Sequence, residues 1–432
     1  MTASNPARLG QTRTTTAAWL ALLLLTLVNA FSLIDRKLPF IMLESIRAEF
    51  VLTDTQVGLL GGVMFTVIYS LLGLPLARLA DRTSRKLVVS GALAFWSLMT
   101  AAGALSQNFV HLALARVGLA VGEAGAVPPS QAILADYFPL RRRGLAMAVF
   151  QAGGAIGVMG GLALGGRLVE SLGWRETLLL AGGAGLALTA AMLIVLREPK
   201  RGQSEDAIEA EETATLWQAL AALWRLKTFK WLAVGGALFT LGTSAIITFG
   251  PSYLVRVRGF SIADAGAYIG VVTGLAAGAG VLAGGWISSW NSPRRTLILA
   301  ALGLVVSAPC LYFALNTDSR VGLLLLLAAP LFLGSLYMGP SYAFAQTMAP
   351  VHMRALTASV MVFIIHGLGT SLGPLCVGAV SDALAPSRGA DGLRLALLIA
   401  PIAYVAAAAA IIAAARRVEV DLPGGNRVKA AR

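Results

Sequence analysis

The chain has 432 residues, of which 57% are hydrophobic and only 13% charged, whereas soluble domains carry nearer a quarter charged residues. No water-soluble fold could hide that much apolar surface, so the composition implies an integral membrane protein. The net charge of +13 could suggest nucleic acid, but the basic residues are distributed along the chain as a membrane-topology signal, and a nucleic-acid partner is excluded on that ground.

Apolar blocks separated by polar breaks predict twelve helices. A transmembrane barrel would alternate apolar and polar residues. These blocks are instead continuously apolar for about 20 residues or more, the length of a spanning helix. After an N-terminal segment (1–16), the first block covers 17–43. It starts like a signal peptide ending near Asn29 to Ser32. The apolar character resumes at Leu33 and runs past Asp35, Arg36 and Lys37 to Leu43, longer than a signal core, so it reads as the first membrane helix. The next blocks are 55–78, 87–106, 109–137, 144–169 and 175–197, which complete an N-terminal six-helix bundle over 17–197. The first helix carries Asp35 and Arg36, and the fourth carries Arg116 and Glu123. A charge at such depth costs on the order of 3 kcal/mol, so these residues mark an ion or substrate path. The fifth helix has Gly153, Gly157, Gly161 and Gly165 at four-residue spacing, which suits close helix packing.

A polar segment, 198–230, follows. It opens on Arg197-Glu198-Pro199, continues through an acidic patch (Glu205 to Glu212), and ends with Trp217, Leu220, Leu223 and Trp224 at helical spacing beside Arg225, Lys227 and Lys230. The last part has the pattern of an amphipathic helix on the membrane surface. The C-terminal bundle, 231–416, is predicted from blocks 231–256, 262–288, 295–314, 320–348, 355–382 and 391–416, with a tail at 417–432. Of the 34 Lys and Arg, 23 fall in the termini and the even-to-odd connections and eight on the opposite face. The positive-inside rule then puts both termini and the 198–230 linker in the cytoplasm, in a multi-pass protein of a bacterial inner membrane. A faint repeat is also visible. The second helix ends at Asp81-Arg82 and the eighth at Trp290-Asn291, an offset of 209 residues from 81 to 290. The expected fold class is an all-α membrane protein of two pseudo-symmetric six-helix bundles joined by a linker, with the site near the bilayer midplane between them.

The segment from Gly73 through Asp81-Arg82-Thr83-Ser84-Arg85-Lys86 resembles the signature loop of the major facilitator superfamily. Glycines of the fully typical form are replaced by Ala77 and Ser84. Three further pieces resemble the spinster branch: Ile34-Asp35-Arg36, Arg116 through Glu123-Ala124, and Val195-Leu196-Arg197-Glu198-Pro199. The Asn-Tyr that commonly precedes the helix-one acid of that branch is absent, the stretch here being Ser32-Leu33-Ile34. The resemblance implies proton-driven alternating access with lipids or other amphiphiles as cargo. A branch of organic-anion symporters shares a similar Gly-Glu-Ala stretch, so a sugar-acid symporter is the alternative.

Arg116 and Glu123 lie seven residues apart, on one helical face. Asp35 and Arg36 point about 100° apart, so Asp35 can face Arg116 while Arg36 faces the cavity or the interface. Burial favours a neutral carboxyl and a nearby guanidinium a charged one, so such acids can be tuned to exchange protons. Asp35 and Glu123 are therefore expected to carry protons, with Arg36 and Arg116 as charge partners. Lys37 is expected to snorkel to the outer headgroups. Asp81, Arg82, Arg85 and Asp136 are expected to form a cytoplasmic gate, with Asp81 near the start of helix eleven and Arg85 toward Asp136. Candidate cavity residues are Asn29, Tyr69, Ser244, Tyr337, Tyr342, Gln346 and His366, a largely uncharged wall facing the charged one. Cys310 and Cys376 both lie in apolar blocks and act as small hydrophobes. No nucleotide loop, nucleophile–base pair or metal-ligand cluster is legible, so neither an enzyme nor a cofactor or metal is expected. The working unit is expected to be a monomer. A ligand sensor that does not transport would need an output domain, and the linker and tail are too short to be one.

Overall fold

The computed structural model describes residues 16–199, 223–224, 226–348, 357 and 360–421, with Leu74, Ala77, Asp81, Leu140, Arg141 and Gln346 described by their backbone alone. The expected N-terminal segment, most of the amphipathic stretch of the linker, and the tail beyond Asp421 lie outside these residues. Among the described residues, twelve helices are long and apolar enough to cross a membrane. The first six are α1 (Thr16–Phe50), α2 (Asp54–Ala80), α3 (Arg85–Ala104), α4 (Phe109–Tyr137), α5 (Arg142–Leu172) and α6 (Trp174–Val195). The second six are α7 (Lys227–Arg256), α8 (Ile262–Trp290), α9 (Pro293–Asn316), α10 (Arg320–Ala345), α11 (Val360–Arg388) and α12 (Asp391–Ala415). There is no strand among the described residues.

Helix α1 continues seven residues past Leu43, because Glu44, Arg47 and Glu49 are stabilised at its end by charged partners rather than by lipid. Breaks occur at corresponding places in the two halves. Helix α4 breaks at Gly125-Ala126, where Pro128 and Pro129 withhold two backbone donors, and α10 breaks at Leu336-Tyr337 ahead of Pro340. Wider π-type turns interrupt α2 at Leu59–Val63 and α8 at Thr273–Ala277. A third lies in α11 at Phe363–Leu368.

Small residues set the spacing of the helices. The four glycines of α5 each meet one turn of α1. A Cβ on Gly153 would stand 2.6 Å from Thr26, on Gly157 2.3 Å from the Ala30 carbonyl oxygen, and on Gly161 3.0 Å from Ile34 Cα. A Cβ on Gly165 would stand 2.4 Å from Leu38. This contact holds α1 rigidly in register, and so fixes the level of Asp35. Between the halves, α2 packs on α11 and α5 on α8, again through glycine. A Cβ on Gly58 would lie 2.5 Å from the Pro374 carbonyl oxygen, and one on Gly266 2.2 Å from that of Leu162.

At the face opposite the 198–230 connection, polar groups clasp the halves together. Arg256, at the end of α7, binds Glu44 of α1 at 2.6 Å and Asp54 of α2 at 2.8 Å. Asp54 is 3% exposed and also accepts from Ser381 at 2.6 Å and pairs with Arg47 at 3.2 Å. Asp382 of α11 accepts from the backbone N–H groups of Asp54 (2.8 Å) and Thr55 (2.7 Å), at the positive end of α2. Glu170 of α5 does the same for Ala263 of α8 at 2.8 Å. An acid at the end of the fifth helix of each half thus caps the second helix of the other.

Candidate functional site

The four intramembrane charges meet beside α1, but not in the expected pairs. Glu123 is fully buried, and its Oε2 accepts from Arg36 Nη2 (2.6 Å), Arg36 Nε (3.1 Å) and Ser32 Oγ (3.0 Å). Arg36 is stacked on two rings, 4.6 Å from the centroid of Phe65 and 4.7 Å from that of Tyr69. These rings lie one turn apart on α2, and such i,i+4 aromatics present one continuous face to a cation.

Arg116 does not pair with the Asp35 carboxylate. Its Nη1 faces the Asp35 backbone carbonyl at 3.4 Å and its Nε that of Leu60 at 3.5 Å. The sequence explains both acceptors. Pro39, four residues after Asp35, has no N–H to offer the Asp35 carbonyl. Leu60 lies within the π-type turn of α2, where the regular ladder is interrupted. The guanidinium thus fills gaps that a proline and a π-turn leave in the backbone.

Asp35 is 1% exposed, and neither carboxyl oxygen has a hydrogen-bond partner. Trp96 and Thr100, one turn apart on α3, face it, and their Nε1 and Oγ1 atoms are also unpartnered. A cavity of ≈ 30 Å³, walled by Leu60, Met99, Thr100 and Arg116, opens at the carboxyl. That is room for about two waters. An ionised carboxylate here gives up its hydration for little more than the Trp96 and Thr100 donors turned toward it, so the geometry suits an acid that changes protonation state.

Lys37 departs from the expectation that it snorkels outward. Its Nζ lies 5.0 Å from the ring of Phe40, which is buried between the halves against Gly61 and within reach of Thr248 of α7. The cavity candidates separate into two sets. Asn29 donates to the Phe150 carbonyl at 2.8 Å, Ser244 to that of Gly369 at 3.1 Å, and the 1%-exposed Tyr337 to that of Leu232. These three tie helices together, because a buried amide or hydroxyl takes the nearest backbone acceptor. Tyr69 faces the charged cluster, and His366 lies within electrostatic range of Arg36 and Lys37. Tyr342 is half-buried with its hydroxyl unpartnered, and the Gln346 side chain lies outside the described residues.

Of the expected gate residues, Arg85 binds Asp136 at 2.6 Å, its own N–H donates to Glu198 at 2.7 Å, and Arg82 is exposed at the end of α2. These contacts join α3, α4 and the end of α6 within one half. The Asp81 side chain and residues 349–356, where helix eleven was expected to begin, lie outside the described residues. Ser32, Phe65, Trp96 and Thr100 were missed in the sequence. The available signals were the four-residue spacing of Phe65 with Tyr69 and of Ser32 with Arg36.

Residues 25–374 match the model of the Major Facilitator Superfamily. The chain belongs to that superfamily. Within it, this transporter is spinster-like. It is 32% identical over 404 residues to an MFS-type efflux pump of Mycolicibacterium smegmatis, covering 92% of this chain and 93% of the pump. It is 26% identical to protein spinster homolog 1 of Xenopus tropicalis, over 92% of this chain and 81% of that one. A solved bacterial homolog of the human lysosomal transporter Spinster, inward-facing and unoccupied, superposes with a TM-score of 0.88 at 27% identity, covering 95% of this chain and 99% of that one. Its inward-facing, occupied form gives 0.84. The superfamily member is thus a multi-pass membrane transporter for a small molecule and not an enzyme.

Proposed function

We propose that the protein is a proton-coupled secondary transporter that moves an amphiphilic small molecule by alternating access, with Asp35 and Glu123 as proton carriers and Arg36 and Arg116 as their charge partners. The observation that carries this is the Asp35 carboxyl, buried at membrane depth with no ion pair or formed hydrogen bond, beside a Glu123–Arg36 pair that a second proton would release. Protonating Glu123 removes the partner of Arg36 and frees that cation toward the interface between halves. A ligand or proton that changes the energy of one arrangement more than the other shifts the population between them. The clasp around Arg256 and Asp54 holds one face shut while the other is open. Asp81, Arg82, Arg85 and Asp136 serve as the gate at the linker face, which the positive-inside rule makes cytoplasmic. A charged wall on α1 and α4 opposite apolar and aromatic surface suits a polar head with an apolar tail.

A second reading has its own support. A probable L-galactonate transporter of Escherichia coli is 23% identical over 91% of this chain. The deciding experiment is a substrate panel in proteoliposomes with an imposed pH gradient. Uptake competed by long-chain lipids or detergent-like drugs supports the amphiphile. Efficient uptake of a sugar acid, indifferent to lipids, supports the organic anion.

A further inference from the structure

Counted at membrane depth, the site is short of negative charge. Arg36, Lys37 and Arg116 are the cations and Asp35 and Glu123 the acids, and with both acids ionised one positive charge remains over. The acid next along α1, Glu44, is already held by Arg256. Glu123 is occupied by Arg36 and Ser32, and Arg116 by backbone carbonyls. Lys37 alone of the three cations has, among the described residues, no hydrogen-bond acceptor or ion-pair partner of its own, the Glu123 carboxylate within its electrostatic range being held by Arg36 and Ser32.

Its position follows from helix geometry. Phe40 and Glu44 stand three and seven residues beyond Lys37, on the same face of α1. Phe40 lies where Gly61 of α2 meets Thr248 of α7, and Glu44 binds Arg256 of α7. This stripe of α1 therefore faces the other half of the molecule. Across it, the π-type turn Phe363–Leu368 of α11 carries His366, half-buried and within electrostatic range of both Arg36 and Lys37. In the same half, the membrane-depth wall around His366 offers no acid among the described residues. A lone ammonium in a low-dielectric site is costly, and such charges are retained where they meet a partner.

We propose that Lys37 is a specificity-determining residue that binds a negatively charged headgroup of the cargo, a phosphate or a carboxylate, with His366 donating from the opposite half. This deepens the amphiphile reading above and rests on it for the tail, not for the charge. The anion supplies the missing negative charge. Because its ligands come from α1 and α11, it also draws the two halves together around the head. An ammonium is a compact point charge suited to a phosphate or carboxylate, and an arginine at the same place keeps the charge.

The test is equilibrium binding of radiolabelled dodecyl phosphate to the full-length protein in phosphatidylcholine nanodiscs. Dodecyl maltoside, dodecyltrimethylammonium and tail-less gluconate serve as competitors. The wild type is expected to prefer dodecyl phosphate over the other two dodecyl probes by about tenfold or more. Lys37→Met should erase that preference while leaving dodecyl maltoside binding in place, which also shows that the variant is folded. Lys37→Arg should retain most of it. An unchanged preference in Lys37→Met overturns the proposal, as does an equal loss for charged and neutral probes. Gluconate outcompeting dodecyl phosphate in a Lys37-dependent way would sink the amphiphile reading and leave the anion site standing.

Discussion

The two buried acids of the site differ in their company, and that difference is measurable. Glu123 accepts three hydrogen bonds, two of them from a guanidinium, whereas Asp35 accepts none. Replacing Asp35 by Asn removes a buried charge that has no ion pair or formed hydrogen bond, so thermal stability in detergent should hold or rise. Replacing Glu123 by Gln strands Arg36, which is 23% exposed in its side chain, and should cost about 2 kcal/mol. Equal losses in thermal unfolding of the two variants would refute this asymmetry. The four charges were legible from the sequence because charge is conspicuous in an apolar block. Their pairing was not, since i to i+1 and i to i+7 spacings state which residues share a face but not which partner a long guanidinium reaches. Trp96 and Thr100 were invisible for the opposite reason: hydroxyls and indoles are ordinary in membrane helices.

At the scale of the helix, backbone breaks decide where side chains bond. Pro39 leaves the Asp35 carbonyl without its helical donor, and Arg116 stands there instead. Pro39→Ala should return that carbonyl to the helix and weaken the hold on Arg116, which would show as increased mobility of the α4 break at Gly125-Ala126 in hydrogen exchange. Protection at residues 109–137 that does not change would mean that Arg116 is anchored elsewhere. The glycine run of α5 makes a firmer case. A leucine at Gly157 would drive atoms into the Ala30 backbone, which cannot yield as a side-chain tip could, so Gly157→Leu should abolish folded protein. Gly160→Leu, where a Cβ meets nothing within 4 Å, should be tolerated. Comparable yields by size-exclusion chromatography would contradict the packing assigned to this face. Helix existence and the glycine stripe were readable from periodicity alone. The two extra turns of α1 were not, because Glu44, Arg47 and Glu49 look like a polar break until their partners on α2, α6 and α7 are placed.

For the whole molecule, alternating access requires that the clasp at the far face come apart. Arg256 of α7 satisfies Glu44 and Asp54 of the other half together, so Arg256→Ala leaves these two acids side by side without their shared partner across the joint. That should favour the arrangement open at this face by about 1–3 kcal/mol, seen as longer spin-label distances between the far ends of α1 and α7. Distances identical to those of the wild type would make the clasp a passive contact. The central claim, proton coupling through Asp35 and Glu123, is tested most directly by one measurement. Cargo accumulation and proton flux are followed together in proteoliposomes carrying the Asp35→Asn, Glu123→Gln double variant under an imposed pH gradient. The expected result is folded protein that still binds and exchanges cargo but neither accumulates it nor moves protons. Uphill transport with proton flux in that double variant would contradict the claim and move the coupling site elsewhere, with His366 the first residue to examine.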